Sequence, residues 1–117
     1  MATVLIIEDD IDIREILELT LKVEGFDVLT APNGAEAFKV LATGRVPCLI
    51  LLDLMMPVMD GWEFAQKIEN KPDLSSIPIV LVTAYSEKAK SVKKALSIIP
   101  KPINYDDLVS TVKAHCH

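Results

Sequence analysis

The chain has 117 residues, of which 50% are hydrophobic and 5% aromatic, so it can form one domain with a mainly aliphatic core. Its net charge of −5 argues against a basic nucleic-acid-binding face, and no apolar run reaches the length of a membrane span. No basic region of a signal peptide precedes the first apolar run, so we expect a cytoplasmic protein. Cys48 and Cys116 lack metal-ligand spacing and are expected to be unrelated, reduced thiols.

Five short runs rich in leucine or β-branched residues alternate with segments of helical period. The first, third and fourth are almost continuously apolar, which is typical of strands covered on both faces of a parallel sheet. The runs are residues 3–7, 26–30, 48–52, 77–82 and 97–99. Alternation of strand and helix over 1–117 therefore predicts one three-layer α/β domain.

Five helices are predicted, and four of them have a capping side chain three residues before an acid. These caps are Asp12, Asn33, Asp60 and Asn104, and Ser86 is expected to begin the fourth helix. Gly25 and Gly44 fall where the first two helices should end. The residues expected to face inward are Ile13, Ile16, Leu17 and Leu21 in the first helix and Ala89, Val92 and Leu96 in the fourth.

Polar side chains follow or end four of the predicted strands. Glu8 and Asp9 follow the first strand, Asp53 the third, Thr83 the fourth and Lys101 the fifth. Carboxylates gathered at one sheet edge repel each other unless a cation lies among them, and Mg²⁺ prefers such oxygen ligands. One carboxylate could then attack phosphorus, with the metal, the lysine and the hydroxyl neutralising the phosphoryl oxygens.

Each of these residues also has an ordinary structural explanation. Asp10 is better explained as a helix-start acid than as a ligand, and Glu8 and Asp9 could serve the same purpose. A strand-terminal residue such as Asp53 is often part of a turn, and a single lysine is usually solvated. Their occurrence together, at successive strand ends of one small domain, favours the phosphoryl-transfer hypothesis.

Four motifs at these positions are similar to those of a known family. They are IIEDD at 6–10, DLMMPVMDG at 53–61, VTA at 82–84 and KP at 101–102. With them, the chain resembles the receiver domains of bacterial response regulators over essentially its whole length. The resemblance implies a flavodoxin-like, doubly wound five-stranded parallel sheet of order 2-1-3-4-5 with five helices.

The resemblance also implies the role of each site residue. Asp53 matches the phosphoacceptor. Asp9 matches a direct Mg²⁺ ligand, Glu8 a ligand acting through water, and the Met55 backbone carbonyl the remaining protein ligand.

Thr83 matches the hydroxyl that turns towards the phosphoryl group, and Lys101 matches the cation beside it. In such domains the peptide bond between Lys101 and Pro102 is cis, which would aim the lysine inward.

The implied biology is two-component signalling. A phosphohistidine donor, either a histidine kinase or a histidine phosphotransfer protein, would dock on the first helix and the loops around Asp53. The chain would be a phosphoacceptor that catalyses its own phosphotransfer and dephosphorylation, not an enzyme acting on other substrates. The implied partners include a downstream protein target, whereas nucleic acid and membrane partners are not expected.

Two features depart from the family pattern. The segment from Thr83 to Lys101 is several residues shorter than usual, so the fourth helix should be trimmed or followed by a tight connection. Ile98 occupies a position that is commonly aromatic, which puts the usual output switch in doubt. Near the site, Met55 and Tyr85 are expected to slow hydrolysis of the acyl phosphate, although they could simply cap the pocket.

Two other classes of protein fit the sequence less well. Aspartate-nucleophile phosphatases need a second acid two residues after the nucleophile, where this chain has Met55. A degenerate receiver that only binds proteins should lack the acceptor, an acid or the lysine, and none of these is missing here.

Overall fold

Strands and helices alternate along residues 2–116, the part of the chain that the computed structural model describes. The strands are β1 (Thr3–Ile7), β2 (Asp27–Ala31), β3 (Leu49–Leu52), β4 (Ile79–Thr83) and β5 (Ser97–Pro100). The helices are α1 (Ile11–Val23), α2 (Gly34–Leu41), α3 (Gly61–Glu69), α4 (Ser86–Ala89) and α5 (Tyr105–His115). Within residues 2–116, no helix is long and apolar enough to cross a membrane.

The five strands form one parallel sheet in the order β2-β1-β3-β4-β5, which confirms the predicted flavodoxin-like topology. The strand ends are in register, since Ile7 lies opposite Leu52 and Thr83 lies opposite Pro100. The residues that follow β1, β3 and β5 therefore emerge at the same edge, where ligands bind in open α/β sheets.

Alternate strand residues build two cores, one on each face of the sheet, which explains the continuous apolar runs. On one face, residues such as Ile7 and Leu52 pack with Phe64 and Ile68 of α3. The other face carries residues such as Ile6 and Leu51, together with buried residues of α1 and α5. Because both faces are covered, the strands are rigidly held and fix the positions of their carboxyl ends.

Three of the four predicted helix caps are confirmed. The side chains of Asn33, Asp60 and Asn104 each accept a hydrogen bond from the backbone N–H three residues later. For α1 the prediction was wrong, because the cap is Asp10, whose Oδ1 accepts from the N–H of Asp12 at 2.9 Å. The helix thus begins two residues earlier than its apolar pattern indicates.

Two residues predicted to face inward are exposed instead. Ile16 is 49% exposed, because the buried stripe of α1 runs through Leu17 and Leu21, and Ile16 lies one position to its side. Leu96 is 52% exposed, because α4 ends at Ala89 and helical spacing no longer applies there.

The prediction that the two cysteines are unrelated thiols was wrong. Cys48, which immediately precedes β3, and Cys116, which follows α5, are joined in a disulfide with their Cα atoms 5.4 Å apart. They are separated by 68 positions in the sequence, so their spacing gives no sign of the contact. They meet because α5 runs back along the sheet and ends at the edge where β3 begins.

Candidate functional site

Three carboxylates gather at the carboxyl edge of the sheet. Oxygen atoms of Glu8, Asp9 and Asp53 all lie within 4.8 Å of one another. Glu8 is 2% exposed and Asp53 is 6% exposed, whereas Asp9 is open to solvent. Burying two like charges this close is unfavourable unless a cation or a proton compensates them.

Lys101 supplies a positive charge to this cluster. Its Nζ lies 2.6 Å from Oε1 of Glu8 and 3.5 Å from Oδ2 of Asp53. The peptide bond between Lys101 and Pro102 is cis, as the resemblance implied. The backbone N–H of Lys101 donates to the carbonyl of Thr83 at 2.9 Å, which ties the lysine to the end of β4.

The pKa values of the cluster reflect burial and mutual charge. Burial raises the pKa of Glu8 to about 7, and the charge of Asp53 adds to this effect against the opposing hydrogen bond from Lys101. Burial also raises the pKa of Asp53, although Lys101 opposes the change. Burial alone would lower the pKa of Lys101, but its hydrogen bond to Glu8 and the two nearby carboxylates outweigh burial and raise it. Without a metal, the cluster therefore tends to retain a proton.

The two carboxylate oxygens of Asp53 have different surroundings. Oδ1 accepts a hydrogen bond of 2.8 Å from the backbone N–H of Leu54, while Oδ2 faces Lys101. This hydrogen bond from the Leu54 N–H fixes the orientation of the Asp53 carboxylate and leaves its second oxygen beside a cation. This geometry suits a nucleophile whose reacting oxygen must be held in place.

The loop after Asp53 folds back tightly onto the end of β3. The N–H of Gly61 donates to the carbonyl of Leu54 at 2.9 Å, and a Cβ at Gly61 would collide with the carbonyl oxygen of Asp53 and with Leu54. Only glycine fits this close approach of two backbone segments. Gly61 therefore shapes the loop that carries Met55, whose side chain is exposed beside the site.

Thr83 connects the site to the start of α4. The residue is fully buried at the end of β4, and its Oγ1 accepts a 3.0 Å hydrogen bond from the N–H of Tyr85. Tyr85 is the N-cap residue of α4 and makes no side-chain capping bond. Any movement of the Thr83 hydroxyl would break this bond and change the beginning of the helix.

The expected trimming of the fourth helix is confirmed. α4 is a single turn of four residues, and turns and bends lead from it into β5. Ile98, at the position that is commonly aromatic in receivers, is half-buried and packs against the core on the α3 face. The segment is thus joined to the site through Thr83 but lacks a full helix.

Two side-chain contacts near the site were not predicted from the sequence. Arg14 donates from its guanidinium to the backbone carbonyl of Glu8 at 2.9 Å, which holds the first acid against α1. The Trp62 indole N–H donates to Ser91 Oγ at 3.0 Å and links α3 to the segment after α4. Arg14 lies on the first turns of the helix beside the acids, which was a usable signal, whereas nothing local indicates the second contact.

The residues present fit a magnesium ion. The candidate ligands are all hard oxygen donors, as Mg²⁺ requires, and the exposed position of Asp9 leaves room for the water that this ion retains. The arrangement of a fixed Asp53 oxygen, two further acids and Lys101 suits the binding of a metal and the transfer of a phosphoryl group.

Known proteins share this sequence and architecture. A family model described as the response regulator receiver domain matches residues 4–113. The transcriptional regulatory protein CpxR homolog of Haemophilus influenzae is 37% identical over 97% of the chain, which spans 50% of that relative's length.

Solved structures extend the similarity to three dimensions. The response regulator protein TrrA of Thermotoga maritima, in complex with Mg²⁺ and BeF, is 36% identical with a TM-score of 0.86, covering 97% of this chain and 98% of that one. The chemotaxis protein CheY4 of Vibrio cholerae is 32% identical with a TM-score of 0.85, and 98% of each chain is covered. Since the family model spans nearly the whole chain and the fold agrees, this protein belongs to the response regulator receiver domain family, which serves two-component systems.

Proposed function

We propose that this chain, over residues 1–117, is a receiver domain that accepts a phosphoryl group on Asp53 in a Mg²⁺-dependent reaction. The observation that carries the proposal is the position of Asp53, buried at the end of β3 within 4.8 Å of two further acids and 3.5 Å from Lys101 Nζ. A turn residue would need neither the burial nor the surrounding charges.

Glu8, Asp9, Asp53 and the backbone carbonyl of Met55 would hold the ion. When bound, Mg²⁺ supplies positive charge that offsets the acids and the phosphoryl oxygens. The solved structure of TrrA, which contains Mg²⁺ and BeF on the same fold, supports this assignment.

The chain's own residues then provide the nucleophile and charge stabilisation. Oδ2 of ionised Asp53 forms a bond to phosphorus while the phosphorus–nitrogen bond of a phosphohistidine donor breaks, and the departing imidazole nitrogen keeps the electron pair. Lys101, now paired with Glu8, is close enough to Asp53 to neutralise a phosphoryl oxygen. The Thr83 hydroxyl would leave the Tyr85 N–H and donate to another phosphoryl oxygen.

The donor is proposed to be a histidine kinase or a histidine phosphotransfer protein in the cytoplasm. α1 offers a surface for it, because Ile16, Leu19 and Val23 are exposed on a helix that begins next to the acids. Exposed apolar residues in one region of a surface are typical of protein contacts. A downstream protein would receive the signal through the surface around α4 and β5.

Intact mass spectrometry after incubation with acetyl phosphate and Mg²⁺ tests the proposal. We expect a gain of one phosphoryl group that disappears with a chelator and in Asp53→Asn, while Asp12→Asn, an exposed acid on α1, serves as the matched control. No gain in the unaltered chain would favour the alternative of a degenerate receiver that only binds proteins. Phosphorylation of Asp53→Asn would show that another residue is the acceptor.

The acyl phosphate is proposed to be long-lived. Met55 and Tyr85 are both partly exposed beside Asp53 and Thr83, where they would obstruct an attacking water. Following the phosphorylated mass over time checks this, and loss of the phosphoryl group within seconds would contradict it.

A further inference from the structure

Two cysteines lie together at the edge of the sheet opposite the carboxylates. Cys48 immediately precedes β3 and Cys116 follows α5, and their Cα atoms are 5.4 Å apart, a separation at which a disulfide forms without backbone movement. Cys116 is 3% exposed, whereas Cys48 is only half-buried and is therefore the sulfur that a small thiol can reach. Asp53 lies five residues further along the chain, about 17 Å away on an extended strand.

We propose that Cys48 and Cys116 form a reversible redox site, which anchors the end of α5 when oxidised and releases it when reduced. The inference rests on the proposed cytoplasmic location, because disulfides there are usually transient and redox-sensing instead of structural. The reactant is a low-molecular-weight thiol or its disulfide, of the glutathione class.

The chemistry is thiol–disulfide exchange. A thiolate attacks Sγ of Cys48 and forms a mixed disulfide, and Cys116 leaves as a thiolate that takes up a proton. A second thiolate attacks the small-molecule sulfur of the mixed disulfide, so that Cys48 leaves as a thiolate and is protonated. One small disulfide is released and two protein thiols remain. In the reverse reaction the small disulfide is the oxidant and the bond between Cys48 and Cys116 forms again, so electrons and protons balance.

The reduced state also has a place in the structure. Sγ of Cys48 lies 3.1 Å from the backbone carbonyl of Thr3, to which the thiol can donate a hydrogen bond. Cys116 packs in the apolar core beneath α1 and α5, where a thiol is accommodated as a small hydrophobic group. Both oxidation states can therefore exist without rearrangement of the sheet.

Reduction would loosen the last turn of α5 and little else. Besides the disulfide, this turn is held by the buried side chain of Val112 and by an ion pair of 2.6 Å between Lys113 and Glu24. The ion pair is partly exposed, and such pairs contribute little to stability. The end of α5 should therefore fray in the reduced chain, while the distant acids keep their arrangement.

The test equilibrates the protein in glutathione buffers of increasing oxidised fraction, quenches it with acid, and counts free thiols by maleimide labelling and intact mass. We expect the chain to interconvert between a form with two labelled thiols and a form with none. Cys116→Ser should retain Cys48, which can be labelled or glutathionylated, whereas Cys48→Ser should retain the buried Cys116, which is labelled only after the quenched chain is unfolded. Reduction should also lower the Tm by about 10 °C, given the long loop that the bond closes. Amide exchange should accelerate in residues 112–116, with α2 as the unchanged reference.

Three results would overturn the proposal. Two labels under every condition would mean that the pair does not oxidise, and no label under native reducing conditions would mean a permanent structural bond. Oxidation only to dimers would assign the thiols to contacts between chains.

Phosphoryl uptake from acetyl phosphate, measured in both redox states, should agree within about twofold because the exchanging sulfurs are remote from Asp53. Absence of phosphoryl uptake in both redox states would count against the proposed function, but it would not affect the conclusion about the cysteine pair.

Discussion

The two sides of the acidic sheet edge are built differently. On one side, Glu8 and Asp53 follow β1 and β3, whose next helices have 13 and 9 residues and begin at capping aspartates. On the other, Thr83 ends β4 and Lys101 follows β5, and these two strands are joined by a helix of only four residues without a side-chain cap. Yet Lys101 still reaches both acids.

The difference shows that the strand ends bring the chemical groups together even where the following helix is short. β4 is buried along its whole length and holds Thr83 at its end, although the helix that follows has only four residues. The helix after β4 can therefore be shortened without removing the groups proposed for phosphoryl transfer. We infer that the chemistry and the output surface of this receiver can change independently, and the following predictions test that separation.

The largest effect is expected from Lys101→Ala. Within residues 2–116, Lys101 is the only cation that forms ion pairs with both Glu8 and Asp53. Its loss should slow phosphoryl uptake from acetyl phosphate about a hundredfold, as removal of one electrostatic stabiliser commonly does. The initial rate of mass gain at saturating Mg²⁺ measures this. Lys93→Ala is the matched control, because Lys93 lies on the same segment but is exposed; equal rates for the two variants would deprive Lys101 of its proposed role.

Gly61→Ala tests the rigidity of the acidic side. The added Cβ would collide with the backbone of Asp53 and Leu54, so the free energy of unfolding should fall by about 2 kcal/mol, in the range of overpacking substitutions. Urea denaturation followed by circular dichroism gives this value. Gly44→Ala is the comparison: it has open space but a φ of +90°, and should cost about 1 kcal/mol. A smaller loss at Gly61 than at Gly44 would show that the loop adapts.

The sequence predicted the residues at the strand ends better than it predicted which helix residues are buried. Asp53, Glu8 and Lys101 could be placed because strands that alternate with helices form a parallel sheet, and the carboxyl ends of its strands lie at one edge. Helix caps such as Asn33 and Asp60 were also identifiable, since capping depends on residues three positions apart.

The predictions that failed concern contacts between residues distant in sequence, or small rotations about a helix axis. Cys48 and Cys116 meet only through the return of α5, which no local pattern encodes. The exposure of Ile16 differs from that of Leu17 by one helical step of about 100°, which apolar periodicity resolves poorly. The exposure of Leu96 followed from the early end of α4, whose stopping residue has no glycine signal.

Metal binding should depend on pH on the acidic side. The pKa of Glu8 is raised from 4.5 to about 7, so between these values the folded chain binds more protons than the unfolded one, and its metal-free stability falls as pH rises. Mg²⁺ must displace that proton, so its affinity should be about tenfold higher at pH 8 than at pH 6. Isothermal titration calorimetry measures this change. Glu8→Gln should bind Mg²⁺ more weakly and with less dependence on pH, whereas a pH-independent affinity in the unaltered chain would contradict the prediction.

The smallest effect is expected on the shortened side, when the site is filled with Mg²⁺ and beryllium fluoride as a phosphoryl mimic. Amide exchange should change at residues 83–86, because Thr83 would release the N–H of Tyr85 on turning inward. It should change little along β5, since the branched Ile98 is packed against the core and cannot reproduce the rotation of an aromatic ring.

Ile98→Tyr provides the gain-of-function comparison. If the missing aromatic ring limits the response, this variant should extend the exchange change into residues 97–100 while Asp53→Asn shows no change on either segment. A large change throughout residues 84–100 of the unaltered chain would instead show that a one-turn α4 transmits the signal without the aromatic side chain. In that case the output surface would depend on the Thr83 hydrogen bond alone, and the chemistry and the output of this receiver would be coupled more tightly than the short helix indicates.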